Sequence, residues 1–231
     1  MKIEHTSQFI AVDFDYPLRT LSSASAGGGL RRVKTIVNLK TDTQEMLDNA
    51  PEEIVSSFLK KRGSAAAGIG LLTSADMEYA QFICNHGRDI HVLAIVTAGT
   101  SNALNITERS ETEFSGGTET MQGTINIIVI TNACLLDECM VSSIITATEA
   151  KTAALFDLKV KSVTSGNQAT GTGTDSIVIV SGNGMNIRYA GGHTLYGQLL
   201  GEAVHTGVKQ SLLAQEPGTK NFDAIYGMFQ F

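Results

Sequence analysis

Short apolar and polar side chains alternate with a period of two over residues 8–13 and 17–24, with Asp15, Tyr16 and Pro17 between them. The pattern predicts two strands joined at a turn. A glycine triplet, Gly27, Gly28 and Gly29, precedes another strand-like run over 33–39. Pro51, Glu52 and Glu53 open a helix that Lys60, Lys61, Arg62 and Gly63 close, with acids at its positive end, bases at its negative end and glycine as the stop. Apolar runs at 66–72 and 92–98 flank a predicted strand-turn-strand unit around His86, Gly87 and Arg88. The run GTINIIVIT (123–131) is almost continuously β-branched, as in a strand buried on both faces.

The second half reads as strands feeding helices. A long helix is predicted over 136–158, with Val141, Ile144, Ile145, Thr148 and Leu155 sharing its apolar side, Glu149 away from that side and Lys151 on its flank. A second apolar strand follows at 176–180, and Asn183-Gly184 signals a hairpin into 185–189. In a last helix over 195–214, Leu200, Val204 and Val208 face inward, opposite Gln198, Glu202, His205 and Lys209. The expected class is α+β (mixed α/β), strand-rich in the N-terminal half, with strand-helix units in the C-terminal half layered around a mixed or antiparallel sheet.

The 231 residues and only three prolines fit a single domain over 1–231, and 24 Thr and 18 Ser suit strands, caps and polar pocket walls better than a helical bundle. The tail over 217–231 carries Phe222, Ile225, Tyr226, Met228, Phe229 and Phe231, too much apolar surface to leave in water, so it is expected to dock on its own core or on a partner subunit of a homo-oligomer. A net charge of -6 offers no general basic surface for a nucleic-acid backbone. Cys84, Cys134 and Cys139 lack the paired spacing of a zinc site and read as plain buried thiols of a reducing compartment. Residues 1–10 hold no apolar run, and no stretch reaches 18 apolar residues, so a cytoplasmic protein without membrane contact is expected.

Three segments place hydrogen-bonding residues at the ends of apolar strands: 97–102, with Ser101 and Asn102; 170–175, with Gly171, Thr172, Gly173, Thr174 and Asp175; and 191–194, with His193. Each also has a plain explanation as a cap, turn or surface loop. The glycine triplet is either a tight turn or a ligand-facing loop, and it runs into a strand, so it lacks the helix N-terminus of a phosphate cradle. Gly171 and Gly173 precede a strand, and Ser176 stands where a dinucleotide fingerprint needs its third glycine. The polar stretch 109–123 is long enough for a functional cover. The five His residues include no pair four apart, so no metal site is expected, and a metal-dependent hydrolase would need a mostly oxygen shell.

Taken together, LSSASAGGGL (21–30), GLLTSAD (70–76), TAGTSNAL (97–104), GTINIIVIT, ITATEAKTAAL (145–155), ATGTGTDS (169–176) and YAGGHTLYGQLLGEAV (189–204) resemble the adenosylcobinamide amidohydrolase family, in order over about residues 17–213. The resemblance implies an enzyme of corrinoid salvage that hydrolyses the amide joining the aminopropanol arm to the corrin ring, with the cobalt-containing corrinoid as substrate and no cofactor. A corrinoid-binding protein without activity is the alternative. An acidic protein would not repel the cationic substrate. Chemically, His193 or Asp175 is expected to move the proton and Glu149 to orient or assist, unless Glu149 is simply a solvated helix acid. Asn102, or backbone amides near Gly171 and Gly173, would hold the oxyanion. Thr172, Thr174 or Ser101 would attack as a hydroxyl nucleophile if water does not, and Gly28 would allow close approach of substrate.

Overall fold

The computed structural model describes residues 1–63, 68–108 and 123–215. In chain order its elements are β1 (Lys2–His5), β2 (Phe9–Ser22), β3 (Gly29–Lys40), α1 (Thr43–Asp48), α2 (Pro51–Lys61), β4 (Ile69–Thr73), β5 (Gln81–Gly87), β6 (Ile90–Ala98), β7 (Ala103–Leu104), β8 (Ile125–Thr131), β9 (Cys134–Leu135), α3 (Asp137–Asp157), β10 (Gly171–Thr172), β11 (Ser176–Ser181), β12 (Asn186–Ile187) and α4 (Leu195–Leu213). Eight strands form one mixed sheet in the order β4-β3-β2-β11-β8-β6-β5, with β1 added beside β2. The α+β class expected from the sequence is the one observed.

This sheet folds over on itself. In a flat sheet β4 and β8 would lie about 19 Å apart, four strand spacings, yet the Asn126 side-chain amide of β8 donates to the Leu72 carbonyl of β4 at 2.9 Å. The long strand β2 makes the bend. Its first half pairs with β3 up to Asp13, and pairing resumes at Leu18 after an irregularity that contains Pro17; proline has no N–H to give a ladder. The two predicted strands are therefore one bent strand, and its second half reaches across to β11.

Three apolar clusters follow from the folding. Ile10, Ile36, Leu71, Ile95, Ile128 and Val180 close the inner space between the two sheet halves. On the outer face of one half, Val96, Ile127 and Ile179 pack beneath α3 and α4 through Ala147, Leu200 and Val204. On the other half, Val37 and Leu39 meet Ile54, Val55 and Leu59 of α2. Gly70 permits that approach, because a Cβ there would lie 2.2 Å from a Val55 methyl. Every residue of β8 is buried, as its β-branched composition predicts.

Some local expectations fail. The buried side of α3 consists of Cys139, Met140, Ser143, Thr146, Ala147, Lys151, Ala154 and Leu155, whereas Val141 and Ile145 are 55% and 56% exposed. The apolar side read from the wheel thus points mostly outward, and the side that meets the sheet is built mainly of small residues, with Met140, Lys151 and Leu155 among them. Residues 186–187 do not form a hairpin with β11; β12 pairs in parallel with β9, and Gly182 and Gly184 instead pack closely on the Asn132 carbonyl. Of the three thiols only Cys139 is buried, and that burial pushes its pKa up to about 11. Of the predicted cover (109–123), all but Gly123 lies outside the described residues, as does the aromatic tail (217–231). No described helix is long and apolar enough to cross a membrane.

Candidate active site

β8 and β11 run parallel as neighbours, so their N-terminal ends lie together, where the antiparallel strands β2 and β6 end. Into this end the chain delivers the loop 170–175, the segment after β6 and the turn at 123–124. Asp175 is its hub. Its Oδ1 accepts from the Ile125 amide at 3.0 Å and from the Thr172 hydroxyl at 2.5 Å. Its Oδ2 accepts from the Thr172 amide at 3.0 Å and from Lys151 Nζ. The Lys151 and Asp175 side chains are only 8% and 12% exposed. A buried charge pair is tolerable only when paired and hydrogen-bonded, and here both carboxylate oxygens are fully engaged. Gly171 makes room for it, because a Cβ there would sit 2.6 Å from both Lys151 Nζ and Asp175 Oδ2.

Beside this hub lies a cluster of hydroxyls. Thr174 Oγ1 donates to Thr124 Oγ1 at 2.9 Å, Thr124 Oγ1 donates to the Thr174 carbonyl at 2.9 Å, and the Gly123 amide donates to Ser74 Oγ at 2.8 Å. Thr124, Thr174, Asp175 and Ser74 line a cavity of about 370 Å³ together with Ser23 and Ser176. Ser74 also borders a second, more polar cleft of about 670 Å³, to which Thr100 and Ser101 contribute. Behind the cavity, Asn126 donates to Asn38 and Asn38 to Thr97, both at 2.9 Å, in a buried chain that ties β8 to β3 and β6.

The residues singled out from sequence divide between the two ends of the sheet. Thr172, Thr174, Asp175, Gly171, Gly173, Ser101 and Asn102 come together at the Asp175 end, where Asn102 Oδ1 lies buried against Gly123 without a hydrogen-bond partner among the described residues. His193 does not join them. It is exposed in the turn before Thr194, which caps α4 by accepting from the Gly197 amide. That cap stands by the β5–β6 turn, since a Cβ on Gly87 would meet Leu195 at 3.0 Å. Sixteen residues later, Ser211 reaches the Ala98 amide, so about 24 Å of helix separates the two ends. Glu149 is exposed on the outer side of α3, away from Asp175. The expected convergence of His193, Glu149 and Asp175 is therefore not present. Gly28 packs on the Ala24 carbonyl, 2.2 Å from where its Cβ would be, and serves the turn between β2 and β3. The Thr172 amide is committed to Asp175 and is not available to an oxyanion.

The sequence pattern places Lys151 on the flank of the helix and gives it no role in the site. Ser143, Ala147, Lys151 and Ala154 recur at helical spacing on one side of α3, and a lysine within a row of small side chains is a signal for a cation directed inward.

The chain matches the family described as adenosylcobinamide amidohydrolase over residues 1–220. It belongs to that family. It is 33% identical over 200 residues to the adenosylcobinamide amidohydrolase of Methanosarcina mazei, covering 82% of this chain and 88% of that protein. An uncharacterized protein of Methanocaldococcus jannaschii is 32% identical over 231 residues, with 93% and 89% covered. Among solved structures, the PH0078 protein of Pyrococcus horikoshii is similar at a TM-score of 0.46 and 12% identity, over 92% of this chain and 79% of that one; a likeness this distant says nothing about chemistry. As a member of the family, this amidohydrolase is an enzyme acting on an amide bond, and among its described residues no three His, Cys, Asp or Glu side chains gather as a metal site.

Proposed function

We propose that this amidohydrolase cleaves the amide between the corrin ring and the aminopropanol arm of adenosylcobinamide, releasing adenosylcobyric acid and aminopropanol in corrinoid salvage. The observation that carries the reading is family membership over almost the whole chain. The buried Lys151–Asp175 hub beside a hydroxyl-lined cavity supports it with a place for the reaction. The net charge of -6 favours approach of a cationic corrinoid.

Hydrolysis adds the oxygen of water to the carbonyl carbon and a proton to the departing nitrogen, so the site must present a nucleophile, hold an oxyanion and carry a proton. Thr174 and Thr124 form the hydroxyl pair against which the scissile carbonyl is placed. Thr174 either orients water, whose proton passes to the departing nitrogen, or attacks directly. In the second case its own proton goes to that nitrogen, and water then hydrolyses the ester and restores the hydroxyl. Asp175 cannot act as a free base while four donors occupy it; it fixes Thr172 and the start of β8, and so the geometry of the pair. Acid-base action supplies about 100 to 10,000-fold. The remainder of the acceleration for an unactivated amide comes from positioning and from hydrogen bonds to the oxyanion. All of these groups belong to the protein, and the corrinoid cobalt enters as part of the substrate.

The test is incubation of the purified full chain with adenosylcobinamide, followed by mass analysis. Adenosylcobyric acid and aminopropanol in equal amounts are expected, with turnover retained in a strong chelator. An unchanged corrinoid overturns the substrate assignment. Wild-type turnover in both Thr174→Ala and Thr124→Ala overturns the placement of the chemistry.

A further inference from the structure

The outer face of α3 carries a row that the described residues leave largely uncovered, apart from half-buried Thr152. Val141, Ile145, Thr148, Thr152 and Phe156 recur at steps of four, three, four and four, so they share one side of the helix. Val141, Ile145 and Phe156 are 55%, 56% and 65% exposed. Ile106, 78% exposed, flanks the row: its amide donates to Thr170 Oγ1, and Thr152 donates to the Thr170 carbonyl. At roughly 100 Å² for each large side chain, the four leave about 400 Å² of apolar surface along one side of the helix, with Thr148 and Thr152 between them, within the range that marks functional patches on soluble proteins.

We propose that this face is the two-fold interface of a homodimer, in which α3 packs antiparallel on α3 of a second copy. The spacing is that of a helix-helix seam, and the small Thr148 and Thr152 near its middle let two helix backbones approach. Glu149 lies at the edge of the row, where charged residues flank such seams. A standard interface covers about 800 Å² per partner, of which about 65% is apolar in homodimers; the patch supplies most of that apolar share. Asp137 and Glu138 at the start of α3 are already paired with Arg19 and Arg188 of their own chain, so the seam rests on the apolar row and an antiparallel arrangement adds no ion pair there. In that arrangement the helix dipoles oppose each other.

Sedimentation of the full chain across a hundredfold range of concentration tests this. A species of twice the 24.5 kDa chain mass is expected, shifting to the monomer in Ile145→Glu while circular dichroism stays unchanged. Because Ile145 is exposed in the single chain, this variant retains its fold. Thr148→Cys in a Cys84→Ser background is expected to form an intermolecular disulfide on oxidation, which Thr148 itself cannot form. A wild-type chain that stays monomeric at the highest concentration overturns the proposal. So does a dimer that Ile145→Glu leaves intact, which would place the contact elsewhere, for example on the edge strand β5.

Discussion

The two ends of the folded sheet are built from similar sequence and differ in what they bury. At one end the glycines and threonines of 170–174 surround a charge pair whose lysine is drawn from α3. At the other, Gly191, Gly192, His193 and Thr194 form a solvated turn that caps α4. Gly171 is hemmed in by Lys151 and Asp175, whereas Gly191 and Gly192 have nothing within 4 Å of a would-be Cβ. The contrast teaches that a glycine-bordered polar motif holds a buried charge pair only where a second element closes over it and removes water, since electrostatic interactions strengthen with burial.

The sharpest way to break this comparison is to disable one group at each end. Asp175→Asn is expected to lower kcat/KM for amide hydrolysis by about 100-fold through misplacement of the hydroxyl pair. His193→Ala is expected to stay within about threefold of wild type, as exposed sites far from the chemistry do. Equal losses in both, measured on the same preparation, would erase the distinction between the ends.

Next in size is the effect on stability. Lys151→Met leaves the Asp175 carboxylate buried without its cation and is expected to cost about 3–5 kcal/mol by denaturant titration. The double variant with Asp175→Asn is expected to lose less than the two single effects added, because the uncompensated charge is gone. Additive losses would mean that the two side chains do not act as a pair.

Glycine substitutions give a finer comparison. Gly171→Ala is expected to lose about 1–3 kcal/mol and much of the activity by pushing the pair apart, while Gly191→Ala changes stability by less than about 0.5 kcal/mol. The smallest effect lies at the end of α3. There, hydrogen bonds from Lys209 and then His205 hold the Asp157 carboxyl below its usual range. A depressed carboxyl contributes stability above its unfolded pKa of about 3.9 and loses it as pH falls through the lower folded value. Asp157→Asn is therefore expected to lower Tm slightly at neutral pH and to match wild type in strong acid; a difference that persisted in acid would count against the ion pair.

Particular elements show how far reading the chain alone could go. The buried strand at 125–131, the helix starting at Pro51 and the inward face of α4 follow from composition and spacing, because local backbone preference and burial agree there. The bend in β2 was misread as a turn, since Pro17 interrupts pairing in the same way whether a strand ends or merely folds over. On α3 the periodic apolar residues suggested the wrong inward face: periodicity identifies an apolar side but not what that side meets. Lys151 was missed for the same reason. A lysine is ordinarily solvated, and only the carboxylate delivered by a loop 24 residues later makes its burial tolerable.

From the residues by themselves came the α+β class, most of the long elements and, through seven ordered segments, the family and its kind of reaction. These depend on local pattern, which survives without knowledge of distant neighbours. Which polar groups share a cavity, which face of a helix meets solvent and which glycine must remain one depended on contacts between positions far apart in the chain. Such contacts are set by how the sheet folds over and by the cost of burying charge, and these take form only in three dimensions.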